Sequence, residues 1–121
     1  MAKLSLTADL RNEYDRLFET CAVRPQYQPE IDRAVNKMIA NKARYQPVAR
    51  ATGVPWTLIA VMHELECGQR FDRHLHNGDP LSARTVQVPK GRPLSAPPWT
   101  WDFSAEDALK LEGWPRSGAR P

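Results

Sequence analysis

Apolar residues recur at helical spacing through much of this chain. Leu10, Tyr14, Leu17, Phe18 and Cys21 stand at i, i+4, i+7, i+8 and i+11. They form one face of a first helix over about residues 8–21, with Thr7 placed as its N-cap. The segment from Arg24 to Pro29 reads as a connector, and Pro29 suits the first turn of the next helix. Ile31, Ala34, Val35, Met38 and Ile39 repeat the helical spacing, in a second helix that runs on past Ala43. A short helix over residues 46–52 would stop at Gly53, a good C-terminal cap. The most apolar stretch follows, over residues 55–67. There Trp56, Ile59, Ala60 and His63 share one face and Leu58, Val61 and Leu65 another, so the helix reads as buried on most sides. Gly68 ends it. Beyond Phe71, Asn77-Gly78 is a turn pair and residues 85–88 favour extended backbone, which predicts a small β-hairpin over 75–89. Residues 89–98 read as a loop, and Ser104 is placed to cap a last helix over 105–111. The pattern predicts a mostly α, formally α+β, domain over residues 1–112 and a flexible tail over 113–121.

Composition narrows this only a little. A chain of 121 residues fits one domain, and six of its 11 prolines lie from Pro89 onward, which predicts an irregular C-terminal third. The net charge of +3 is spread without a Lys/Arg run. It suits weak attraction to a polyanion, and nothing matches a nucleic-acid module. The longest apolar run, around Leu58 to Met62, is far short of the roughly 20 residues that cross a bilayer, so no membrane insertion is expected. The first seven residues hold no apolar signal segment. The expectation is therefore synthesis in the cytoplasm, with action on any target outside the cell only after release. Cys21 and Cys67 do not make a disulfide scaffold.

The candidate chemistry centres on Glu66. An acid ending an apolar helix is expected to be half-buried, and burial disfavours the charged form of a carboxylate. An acid still protonated near neutral pH can deliver a proton to a leaving group. Glu64, two positions earlier, points roughly 200° away around the helix and faces elsewhere. Directly after Glu66 comes a polar loop, His74-Leu-His-Asn-Gly-Asp-Pro-Leu81. A half-buried acid beside such a loop is what a glycosidase needs.

The apolar helix ending Glu66-Cys67-Gly68 resembles the catalytic helix of the lysozyme-like superfamily, where soluble lytic transglycosylases and goose-type lysozymes carry Glu-Ser-Gly. The stretch from His74 through Pro93 is similar to phage and prophage lysozyme-like proteins. Asp79 and Thr85 also resemble the phage-type pattern of an Asp followed six residues later by a Thr, although the gap from Glu66 to Asp79 is longer than usual. The resemblance implies a lysozyme-like fold in which the helices that normally close the cleft are shortened or missing, and an enzyme acting on the glycan strands of peptidoglycan. It makes Glu66 the general acid. Asp79, or failing that Asp72, becomes the second carboxylate of a hydrolase, and Thr85 holds the attacking water. In a transglycosylase the sugar's own hydroxyl attacks and no second carboxylate is needed. His63, His76, Asn77, Arg84, Gln87 and Trp99 become substrate contacts. No cofactor or metal is called for. A lobe without its closing helices would expose apolar surface and self-associate or be partly disordered at the C-terminus.

Plainer readings compete at each position. Asp79 in Asn-Gly-Asp-Pro is by default a turn residue, Thr85 a strand former, His63 a packed histidine and Trp99 a loop anchor. Two rival functions stand beside glycan cleavage. One is a non-catalytic wall-binding or assembly protein derived from a lysozyme. The other is a zinc site using His63, Cys67, His74 and His76, although their spacing matches no standard motif.

Overall fold

A computed structural model describes residues 5–114. The chain divides into two compact units, one up to Asp32 and one from Arg33 on. Among the described residues 57% are helical and none forms a strand.

In the first unit, α1 spans Ala8–Thr20, and the Thr7 hydroxyl accepts the Leu10 amide at 3.2 Å. The predicted cap is in place. A 3₁₀ turn at Pro25–Tyr27 leads into α2, Gln28–Ala40, whose residues from Arg33 on belong to the second unit. Neither α1 nor α2 contains a fully buried residue.

The second unit holds the core. The predicted extension of the second helix past Ala43 does not occur. The Asn41 amide bonds back to the Lys37 and Met38 carbonyls, and α3 begins afresh over Lys42–Thr52. Gly53 closes α3 in the left-handed conformation (φ 73°), the cap the sequence predicted. Helix α4 spans Trp56–Cys67 and ends at Gly68 (φ 57°), again as predicted. Helix α5 spans Trp101–Leu111 and starts earlier than expected, because Thr100 rather than Ser104 is the cap, accepting the Phe103 amide at 3.1 Å. That start carries Trp101 into the interior.

Helix α3 packs on both α4 and α5. Tyr45, Val48, Ile59, Trp101, Ala105 and Leu109 are buried where the three meet. Full burial of a large apolar side chain contributes about 1.5–3 kcal/mol. Helix α4 is less enclosed than its composition suggests. Its Ile59, Ala60, His63 and Cys67 are buried, but Val61 and Leu65 are exposed.

The predicted β-hairpin over 75–89 is absent. What remains is one isolated antiparallel bridge between Arg73 and Pro80, flanked by hydrogen bonds from the His74 amide to the Asp79 carbonyl and from the Leu81 amide to the Asp72 carbonyl. Pro80, Pro89 and Pro93 lack the N–H groups a ladder requires. The amides of Val86 and Gln87 are taken by a side chain instead. The expected tail also changes at its start. Trp114 packs against the core, and its amide bonds to the Leu109 carbonyl. Residues 115–121 of that expected tail lie outside the described residues.

Candidate functional site

Glu66 lies in the last turn of α4, and its side chain is exposed. The expected half-burial of this acid is not found. The buried face of α4 runs through His63 and Cys67, and Glu66 falls off that stripe. No hydrogen bond or ion pair holds its carboxylate among the described residues. Its backbone, in contrast, is tightly packed. Gly78 lies so close to the Glu66 carbonyl oxygen that a Cβ there would collide with it, and Gly78 itself is left-handed at φ 83°. The Asn-Gly turn thus presses the 74–79 loop onto the end of the helix that carries Glu66. Glu64 faces elsewhere, as phasing predicted, and accepts from Gln69 Nε2 at 2.7 Å.

Asp79 is buried and ties the loops together. Its Oδ2 accepts the amides of Val86 (2.9 Å) and Gln87 (3.1 Å) and the side-chain amide of Asn77 (3.1 Å). These bonds to the charged form, the two amides foremost, hold the carboxyl below its ordinary value of 3.8. Among the described residues no hydrogen bond reaches its other oxygen. Asn77 Oδ1 in turn accepts the Asp79 amide at 2.9 Å, closing an Asx turn. Thr85 is buried as well. Its hydroxyl donates to the Pro89 carbonyl and accepts the Arg92 amide at 2.9 Å. The hydroxyl proton is committed to the loop, so Thr85 shapes the 85–92 segment and could meet a water only as an acceptor.

The three histidines are structural in their contacts. His63 is fully buried. Its Nε2 lies 2.9 Å from the Arg70 carbonyl, which can only accept, so Nε2 carries the proton and Nδ1 accepts from the Tyr45 hydroxyl at 2.9 Å. The ring packs against Phe71 and Trp101, each at a centroid distance of 4.7 Å. Burial, the largest influence, holds its pKa below 6.5. His74 Nε2 donates to the Ala83 carbonyl, and its Nδ1 meets the Ser104 hydroxyl, both at 2.6 Å. His76 Nε2 lies 2.6 Å from Asp107, whose carboxylate also takes a two-point contact from Arg92 at 3.1 and 2.7 Å. Burial lowers the His76 pKa despite Asp107.

The Cys67 thiol, pushed up to about 12 chiefly by burial, donates to the His74 carbonyl at 3.2 Å. The zinc ligand set of His63, Cys67, His74 and His76 is thus dispersed among separate partners. Among the described residues no three His, Cys, Asp or Glu side chains form a metal-holding group.

Arg84 donates to the carbonyls of Pro93, Leu94 and Ser95 and lies 6.0 Å from the Trp99 ring centroid. Trp99 is half-exposed and donates to Ser95. It lines an open cleft of about 520 Å³ with Phe71, Asp72, Pro80, Leu81 and Pro98. Asp72, the second carboxylate candidate, is exposed and paired two-point with Arg70 at 3.0 and 2.7 Å, which lowers its pKa. Gln87 has an exposed side chain. The lining of this cleft does not include Glu66.

Sequence reasoning missed Gln69, Arg92, Ser104 and Asp107. Gln69 is buried at φ 60°, and its amide reaches both Glu64 and the Ala34 carbonyl. Its neighbour Gly68 was the only local hint. The histidine partners of Ser104 and Asp107 are some 30 residues away, beyond any local pattern. Comparison with protein-family models, with curated proteins and with solved structures returned no match.

Proposed function

We propose that this chain cleaves the glycan strands of peptidoglycan, as a muramidase or lytic transglycosylase of lysozyme-like type. One observation carries the reading. Glu66 ends a helix anchored in the core, with its carboxylate open to solvent and unpaired, and a rigid polar loop is packed onto its backbone through Gly78. An acid so placed can reach the bridging oxygen of a bound glycan, and the glycan, by covering it, would favour the protonated form that delivers the proton. Asp79 suits the complementary role, because its amide donors keep it ionised while one oxygen stays uncommitted. An ionised carboxylate supports an oxocarbenium-like centre or orients water. Asn77 and Thr85 act as the frame that fixes Asp79 and its loop. If the sugar's own hydroxyl attacks, Asp79 serves the frame alone.

The test is release of soluble fragments from purified peptidoglycan by wild type and Glu66→Gln. Loss of a general acid lowers the rate by about 10²–10⁴-fold. Equal rates would sink the catalytic assignment. Mass spectrometry of the products separates the two chemistries, since only transglycosylation leaves a 1,6-anhydro end.

A second reading, a wall-binding module without catalysis, is favoured by the cleft beside Trp99, whose lining excludes Glu66. Retention on peptidoglycan that Trp99→Ala abolishes, with no fragment release by wild type, would select it.

A further inference from the structure

Asp107, on α5, fastens both of the loops that surround Asp79. Its two oxygens meet three donors. Oδ2 takes His76 Nε2 at 2.6 Å and Arg92 Nε at 3.1 Å, and Oδ1 takes Arg92 Nη2 at 2.7 Å. These groups are largely withdrawn from water, with the side chains of His76, Asp107 and Arg92 0%, 18% and 19% exposed. A two-point contact between guanidinium and carboxylate is strong and sets orientation as well as distance. His76 Nδ1 is buried with no hydrogen-bond partner among the described residues, so the ring is held by its bond to Asp107.

Each donor leads to Asp79 by a short path. Arg92 and Thr85 are closed onto one another. The Thr85 amide donates to the Arg92 carbonyl, and the Arg92 amide donates to the Thr85 hydroxyl, both at 2.9 Å. The next two amides along the chain, those of Val86 and Gln87, grip Asp79 Oδ2. His76 precedes Asn77, whose side chain donates to the same oxygen and accepts the Asp79 amide. Gly78 follows, seated on the Glu66 carbonyl. Asp107 therefore reaches every group hydrogen-bonded to Asp79 Oδ2 through either Arg92 or His76.

We infer that Asp107 is a positioning residue, whose hold on Arg92 and His76 fixes the 74–79 and 85–92 loops and, through them, the carboxylate of Asp79. Its bearing on catalysis rests on the glycan-cleavage reading, whereas its hold on the loops does not. The arrangement requires two acceptor oxygens. An Asn at 107 offers one, and its NH₂ group would face a donor.

Asp107→Asn in the full chain is the test, read by amide hydrogen exchange at neutral pH and by glycan cleavage. Exchange at Val86 and Gln87 should rise roughly tenfold or more, the worth of a hydrogen bond to a charged group. Core amides such as Val48 and Ala60 should change less, because a general loss of stability would raise them equally. In cleavage, kcat should fall by about 10²-fold, the cost of misplacing a group by an ångström, with KM near that of wild type. If Asp107→Asn does not fold, Arg92→Lys replaces it, since lysine keeps the charge and loses the two-point fork. Unchanged exchange at Val86 and Gln87, or a rise matched at Val48 and Ala60, would overturn the proposal. So would loosened loops with kcat unchanged. A wild type that cleaves no glycan would sink the proposed function instead, and exchange alone would then decide whether Asp107 holds Asp79.

Discussion

Helix α1 and the nest around α3, α4 and α5 are built from the same kind of sequence and reach opposite ends. Each shows large apolar residues at helical spacing. Within its own unit α1 buries none of them, whereas Tyr45, Ile59, Trp101 and Leu109 are sealed inside. Periodicity says that a helix has an apolar face. Whether that face is covered depends on what other elements bring to it. Aromatic rings from three segments converge on Tyr45 in the second unit, with Trp56, Phe71 and Trp101 at centroid distances of 5.7–6.5 Å.

The sharpest way to break this contrast is to truncate one aromatic from each part. Trp101→Ala removes a side chain only 3% exposed and is expected to cost about 3–5 kcal/mol in urea unfolding. Phe18→Ala, measured on dilute protein, should change stability by less than about 0.5 kcal/mol. Comparable losses at both sites would mean that α1 is packed in solution.

Gly78→Ala comes next. A non-glycine residue at this left-handed position costs roughly 1–2 kcal/mol from the backbone alone. The new methyl also pushes the loop away from the Glu66 carbonyl. Thermal melts should show the loss. On the proposed function, glycan cleavage should fall further than stability does, because the loop that carries Asp79 moves.

The smallest effect is on pH dependence. The pKa values of His63 and His76 are depressed in the folded state, so unfolding takes up protons below about pH 6.5. Their contribution is complete above the unfolded value of 6.5 and is lost as pH falls toward the lower folded values. Asp79 adds a second loss further into acid, beginning as pH falls below its unfolded value of 3.8. Denaturation midpoints measured from pH 7 to pH 3 should therefore fall in two stages. His63→Gln should flatten the first stage, and an unchanged slope would contradict the buried-histidine account.

Much of the helical layout was legible in sequence, because caps and breakers act locally. Thr7, Gly53 and Gly68 each stop or start a helix through their own backbone or hydroxyl. The phase difference between Glu64 and Glu66 was equally local. The errors arose where local preference met long-range demand. Ser104 has a good capping side chain, yet it is drawn inward to meet His74, and Thr100 takes the cap. Residues 85–88 favour extended backbone, yet the amides of Val86 and Gln87 are taken by the Asp79 side chain and not by a neighbouring strand.

By itself, then, the sequence determined where α1 and α4 lie, where α3 and α4 stop, and which acid ends the apolar helix, since these depend on contacts within a few residues. Only the tertiary structure decided that Glu66 is exposed, that Asp79 and Thr85 hold loops, and that the histidines are locked in separate pairs. Burial and hydrogen-bond partnership belong to side chains brought together from distant parts of the chain. Local spacing carries no record of them.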